Sequence, residues 1–478
     1  MRLGLKRACL LAVSIFLLGA ASSLYAVDCS KKHLSSHPQE ILECYIHLPE
    51  ALTSRWHLQK RVDTGNVLIE TYLLTSQQWP KNITLPQHAD LWQHELILYI
   101  PKVVKQHTAM LVVSGGTRHA LQQRVSPTAK EDIVVANIAI QTQSIIAILN
   151  DVPNQYLYFE DGVPRKEDGL VAYTWKQFLN NPDENMYWPA HLPMTKAVTA
   201  AMDAMQSISR EHGLVTDQFV VAGGSKRGWA TWLSALADDR IVAIIPMVID
   251  ILNMQANIEY IHECYQGWPD ALKDYVQQGV IELRGTPAFN QLVEMHDPLR
   301  YLDCEDCGRF KRRLSIPKYI ISASGDDFFS AGSLELYFDK LPGVNHIRVI
   351  PNSGHAINKA IAVNAMASYY RMILLKRALP TLAWRRDESG ELRTVTTSAV
   401  PMSAILWVAE AVTPDFRYLE GKGPHYIART LSGVCSQNRC EYKVPPIHTD
   451  KVWHASFVEF RFHAEQDIML TTPVFVTR

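Results

Sequence analysis

The chain has 478 residues, more than one ordinary domain needs and enough for two, or for one large domain with an appendage. Its 47 basic residues nearly balance 48 acidic ones. No long run of one sign occurs, so the basic footprint of a nucleic-acid binder is missing.

In chain order the first element is "MRLGLKRACLLAVSIFLLGAASSLYAVDCS", where Arg2, Lys6 and Arg7 precede an apolar stretch from Leu10 to Leu18 and small residues follow. This order predicts a secretory signal peptide over 1–26, cut after Ala26. The rival reading, a membrane anchor, requires a longer apolar core. Asp28 before Cys29 argues against a lipoprotein cleavage site. No later segment has the unbroken apolar length of a transmembrane helix, and even "IVAIIPMVIDILNM" is interrupted by Asp250. A secreted or periplasmic protein is expected, with no stable membrane insertion after signal cleavage. Export permits disulfides. Of eight cysteines, Cys9 falls in the signal segment. The close pairs Cys29 with Cys44, Cys304 with Cys307 and Cys435 with Cys440 suggest local bridges and leave Cys264 free, with connectivity open. A zinc reading of the single CxxC at Cys304 lacks a second ligand pair.

From Val67 to Ile100, "VLIETYLLTSQQWP" and "LWQHELILYIP" alternate with period two, as antiparallel strands at a sheet edge do. Then come the apolar runs "MLVVSGG", "IVVANIA", "SIIAILN", "FVVAGGS", "IVAIIPMVI", "KYIISASG" and "HIRVIPNSG", the later ones alternating with helical patterns. Apolar strands separated by helices predict an α/β fold, a mostly parallel sheet with helices on both faces. Within "MTKAVTAAMDAMQSISREHG", Val198, Met202, Met205 and Ile208 recur at helical spacing and Gly213 supplies a terminator. The stretch from Leu252 to Arg313 is too long for an ordinary connection and is read as a helical lid or insertion. After the helical "AINKAIAVNAMASYYRMILLKRALP", the runs "ILWVAEAV", "HYIARTL", "CEYKVPP", "ASFVEFRF" and "VFVTR" predict a C-terminal β-sandwich. The expected division is 27–379 for the α/β domain, with its insertion at about 252–313, and 380–478 for the sandwich.

The stretch "FVVAGGSKRGWATWLSALAD" puts Ser225 on a strand-to-helix corner at the C-terminal edge of the sheet, the position of a nucleophile elbow in α/β-hydrolases. Small neighbours are needed there so that the hydroxyl stands clear. The usual G-x-S-x-G is broken, since Arg227 occupies the second glycine position and the glycine comes at 228. A serine nucleophile needs a base, itself oriented by an acid. The order Ser, Asp, His is met by Asp326 or Asp327 after "KYIISASG" and His355 after "HIRVIPNSG", each at a strand end. Asp326 is preferred as nearer the strand; Asp327 is the reserve. Taken singly, the aspartates read equally as a turn or cap, and His355 as a capping or core histidine. The Lys226 amide and one at Gly116 or Thr117 are candidates for the oxyanion hole. The Lys226 and Arg227 side chains read either as salt-bridge partners at a helix start or as positive charge for an acidic substrate group. Trp229 and Trp232 are expected in the core.

The blocks "AMDAMQ", "GGSKRGWATWLSALADDR", "PMVIDILNM", "PKYIISASGDDFF" and "LPGVNHIRVIPNSGHA" resemble those of the PhoPQ-activated pathogenicity-related proteins. "YWPAHLPMTKA", "PDFRY", "WHASFVEFRF" and "LTTPVFVTR" extend the likeness from about Trp56 to the C-terminus. The resemblance implies an α/β-hydrolase-like core with a β-rich C-terminal domain, and exported bacterial relatives linked to virulence. It also implies a eukaryotic branch with a secreted proliferation repressor similar to dipeptidyl peptidases. Carried over by position, it supports Ser225, the acidic doublet and His355 as a triad. After the doublet the family pattern tends to Leu-Pro-Asp, whereas this chain reads Ser330-Ala331-Gly332, a change at the rim of the pocket.

Two functions are compatible with these residues. One is an exported serine hydrolase acting on a small-molecule ester or peptide through an acyl-enzyme, chemistry that needs no metal or organic cofactor. A cationic residue directly after the serine is also found in glucuronoyl-type carbohydrate esterases, by analogy only. The other is a catalytically silent binding or signalling protein on the same fold, meeting a protein partner through the C-terminal domain.

Overall fold

Apolar strands buried on both faces need helices above and below them, and the chain provides both. A computed structural model describes residues 27–48, 55–81, 83–117, 129–303, 308–377, 379–419, 421–447, 451–463 and 467–478. The expected signal peptide at 1–26 and the Cys304–Cys307 pair lie outside the described residues. The main sheet has nine strands: β1 (Arg55–Asp63), β2 (Val67–Gln78), β3 (Leu91–Pro101), β4 (Thr108–Val113), β5 (Ile146–Leu149), β6 (Gln218–Gly224), β7 (Ile241–Met247), β8 (Lys318–Ala323) and β9 (Asn345–Ile350). Their spatial order is β1-β2-β3-β5-β4-β6-β7-β8-β9. The pairs β1·β2, β2·β3 and β3·β5 are antiparallel. The remaining five are parallel. This is the α/β-hydrolase architecture, with an antiparallel edge on a parallel core.

The helices are α1 (Ala129–Thr142), α2 (Glu167–Asn180), α3 (His191–Glu211), α4 (Lys226–Ala237), α5 (Met254–Tyr265), α6 (Pro287–His296) and α7 (Lys359–Leu374), with shorter ones between and before them. Side-chain alternation sorts β3 between two cores: Leu96, Leu98 and Ile100 join one with α3 and α4, while Ile97 and Tyr99 join the other with α7. One expectation fails at "IVVANIA", read as a strand but lying inside α1. Parallel neighbours β4 and β5 require a crossover, which β-branched residues can form when packing demands it. The insertion between β7 and β8 is mainly helical, with α5 and α6 its longest pieces.

Beyond α7 are two antiparallel sheets. One contains β10 (Thr381–Arg386), β11 (Leu392–Thr397), β14 (Val434–Ser436) and β15 (Arg439–Val444); the other contains β12 (Ser403–Ala411), β13 (Ile427–Thr430), β16 (Trp453–His463), β17 (Asp467–Thr471) and β18 (Phe475–Thr477). Their inner faces meet where Tyr442 packs on Phe460, ring centres 5.0 Å apart. Cys29 bridges Cys44 and Cys435 bridges Cys440, while Cys264 is free and buried. Among the described residues no helix is long and apolar enough to cross a membrane.

Candidate active site

β6 ends at Gly224, and the chain turns into α4 through Ser225, whose φ of 55° and ψ of −130° are unusual for a residue with a side chain. Two glycines make the turn possible. A Cβ on Gly223 would lie 2.6 Å from the Arg227 carbonyl oxygen, and one on Gly228 would lie 2.8 Å from Ile249 and 2.9 Å from the Gly223 oxygen. The second glycine therefore belongs at 228, where the helix crosses the strand. Position 227 points elsewhere and accepts arginine.

Ser225, Asp326 and His355 come together from the ends of β6, β8 and β9. His355 Nε2 is 2.8 Å from Ser225 Oγ. His355 Nδ1 is 2.9 Å from one Asp326 oxygen and 3.0 Å from the other. Asp326 also accepts from the backbone amides of Phe328 and Phe329, which fixes its carboxylate. Burial alone would lower the affinity of His355 for a proton, but the charge and hydrogen bonding of Asp326, with Asp327 adding charge, raise its pKa above the ordinary value. Asp326 thus takes the place between the two aspartates that faces the imidazole. Ser225 is only half-buried and lines a cavity. Among the described residues, Asp326, Asp327 and His355 also form a group with ligand-type atoms within 4.8 Å of one another, but His355 Nδ1 and the Asp326 carboxylate are already engaged with each other.

The other expected residues surround the elbow. Lys226 opens α4, so its amide is among those with no acceptor inside the helix. Gly116 and Thr117 follow β4, and the Gly116 carbonyl accepts from Gln155 Nε2 at 2.7 Å. A Cβ on the adjacent Gly115 would lie 2.6 Å from Arg227 Nη2. The Lys226 and Arg227 side chains are salt-bridge partners, the first of the two readings of the sequence. Lys226 Nζ lies 2.9 Å from Glu167 and 3.0 Å from Asp168. Arg227 donates to both Glu167 oxygens, at 2.7 and 2.6 Å, and to the Val152 carbonyl. Burial works against the Glu167 carboxylate, yet Arg227 and Lys226 lower its pKa to about 2. Trp229 and Trp232 are buried, as expected.

Sequence reasoning missed Glu167, Asp168 and Gln155, which are far along the chain from the serine and look like an ordinary helix start. It also missed Asp250 as a site neighbour. Asp250 follows β7, between the strands that end at Ser225 and Asp326; burial raises its pKa to about 6, against the hydrogen bond that Tyr337 donates at 2.7 Å. Within Ser330-Ala331-Gly332 the glycine has a steric reason, since a Cβ on Gly332 would lie 2.4 Å from the Tyr260 hydroxyl of α5.

A family model of PhoPQ-activated pathogenicity-related proteins matches residues 42–417. The chain belongs to that family. It is 31% identical over 447 residues to autocrine proliferation repressor protein A of Dictyostelium discoideum, covering 88% of this chain and 85% of that protein. Among solved structures it is similar to acetyl xylan esterase 1 from Thermoanaerobacterium sp. JW/SL YS485, with 12% identity, a TM-score of 0.46, and coverage of 73% of this chain and 99% of the esterase. A glucuronoyl esterase from Solibacter usitatus gives 13% identity, a TM-score of 0.37, and coverage of 72% and 93%. Neither structural likeness bears on what this family member acts on.

Proposed function

We propose that this protein is an exported serine hydrolase of esterase or peptidase type, with Ser225 as nucleophile, His355 as general base and acid, and Asp326 as the group orienting the imidazole. The observation that carries the reading is the unbroken hydrogen-bonded line from Ser225 Oγ through both nitrogens of His355 to Asp326. His355 Nε2 takes the hydroxyl proton as Ser225 Oγ adds to the substrate carbonyl. The amide of Lys226, with one at Gly116 or Thr117, stabilises the negative oxygen. Collapse leaves an acyl-enzyme and the leaving group takes the proton from His355; water then repeats the sequence and releases the acid. The Cys29–Cys44 and Cys435–Cys440 bridges support an oxidising compartment.

The test is hydrolysis of a panel of activated esters and aminoacyl amides by the wild type, Ser225→Ala and His355→Ala. Turnover by the wild type with a loss of at least about 10³-fold in both variants is the expected result. No turnover by folded wild type would favour a silent binding protein, and equal turnover by the variants would remove Ser225 and His355 from the chemistry.

A further inference from the structure

The cavity opening on Ser225 is walled mostly by hydrocarbon. Trp175 and Trp229 meet edge to face, 5.5 Å apart, on one side. The insertion closes another with Met254, Ile258 and Ile261 of α5 and Phe289 of α6, and Phe328 and Phe329 complete it beside the acid. Its volume is about 70 Å³. Two charged side chains reach it, Asp168 and Lys226, and they pair with each other at 3.0 Å. Tyr275 donates a further hydrogen bond to Asp168. With Glu167 taking Arg227 as well as Lys226, two cations face two carboxylates, so this cluster presents no uncompensated charge to a ligand.

We propose that this cavity is the acyl pocket and that it takes an uncharged aliphatic acyl group of about three to five carbons. The proposal rests on the serine-hydrolase reading above. Size supports it: an engineered apolar cavity of ~150 Å³ holds benzene, and the space here is about half that. Chemistry supports it too, because a carboxylate or ammonium entering an apolar chamber would lose its hydration without gaining a partner. The leaving group needs to reach His355 Nε2 and then depart first, and His355 does not line the cavity. The group that stays on Ser225 is therefore the one under the insertion.

The experiment compares kcat/KM of the full mature chain on p-nitrophenyl acetate, butyrate, octanoate and hemisuccinate, with fluorophosphonate labelling of Ser225 measured in parallel. Each methylene newly buried is expected to raise kcat/KM about fourfold. Butyrate should exceed acetate about 15-fold, with octanoate and the charged hemisuccinate each at least about tenfold below butyrate. Ile258→Ala should move the optimum to longer chains; if it does not fold, Met254→Ala tests the same wall. A flat chain-length profile, or preference for hemisuccinate, with labelling intact overturns the pocket and leaves the hydrolase reading standing. Neither labelling nor hydrolysis overturns both.

Discussion

Ser225 sits in a backbone conformation that costs about 1–3 kcal/mol for a residue with a side chain, and its neighbours are chosen to make that conformation accessible. Gly228→Ala should destabilise the fold by about 1–3 kcal/mol, read by thermal unfolding, because the added methyl meets Ile249 and the Gly223 oxygen. Gly224→Ala, with nothing within 4 Å of its Cβ, should change stability by less than about 0.5 kcal/mol. His355 allows a prediction about pH. The proposed mechanism needs the neutral imidazole, and the raised pKa keeps it protonated to higher pH. The acid limb of kcat/KM should therefore have its midpoint above the ordinary histidine value of about 6.5. Asp326→Asn should move that limb down and lower kcat by about 10³–10⁴-fold, whereas Asp327→Asn should shift it less and cost under about tenfold. The serine, the histidine and the acidic doublet were legible because each ends an apolar strand. Nearness to the strand end favoured Asp326 over Asp327, and the Asp326 carboxylate is the one that faces the imidazole.

The elements that hold these residues were legible wherever alternation was clear. β2 and β3 stood out because successive residues face different cores. β1 did not, since it is an edge strand with nearly all its side chains exposed. α1 was misread because its apolar residues are β-branched, and the crossover that makes it a helix is a property of β4 and β5. The link from α2 to the elbow was invisible, as Glu167 and Arg227 meet only in the folded chain. It has a proposed consequence for activity: Arg227 ties Glu167 to the Val152 carbonyl and lies directly beside Gly115, where a Cβ would meet it at 2.6 Å. Arg227→Ala should lower kcat by about 10–100-fold through displacement of the loop that carries Gly116 and Thr117. Arg227→Lys should not restore it, because a single ammonium cannot make the bidentate contact.

At the scale of the whole molecule, the region beyond α7 is fastened to the α/β core by several contacts. Arg348 of β9 pairs with Glu459 of β16, both buried, and the Tyr319 hydroxyl donates to the Met469 carbonyl at 2.6 Å. Near the site, the Tyr418 amide donates to the Gly325 carbonyl at 2.8 Å, and the Tyr426 hydroxyl donates to the Ser324 carbonyl at 3.2 Å. Asn352, three residues before His355, exchanges hydrogen bonds with the Tyr426 backbone. The loops carrying Asp326 and His355 are thus braced from beyond residue 380. Glu459→Ala should cost about 3–5 kcal/mol in urea denaturation by stranding Arg348, and Arg348→Met with Glu459→Leu should recover most of it. A β-rich C-terminal region was legible from its short strands; its bracing of the loops at Asp326 and His355 was not, because "PDFRY" carries no periodic signal.

In the proposed mechanism Ser225 is activated by His355 and Asp326. That activation is tested by fluorophosphonate labelling of the purified protein, with peptide mapping of the adduct. One adduct is expected, on Ser225, lost in Ser225→Ala and slowed at least about 10²-fold in His355→Ala. A folded protein that takes no label, or takes it elsewhere, would contradict it.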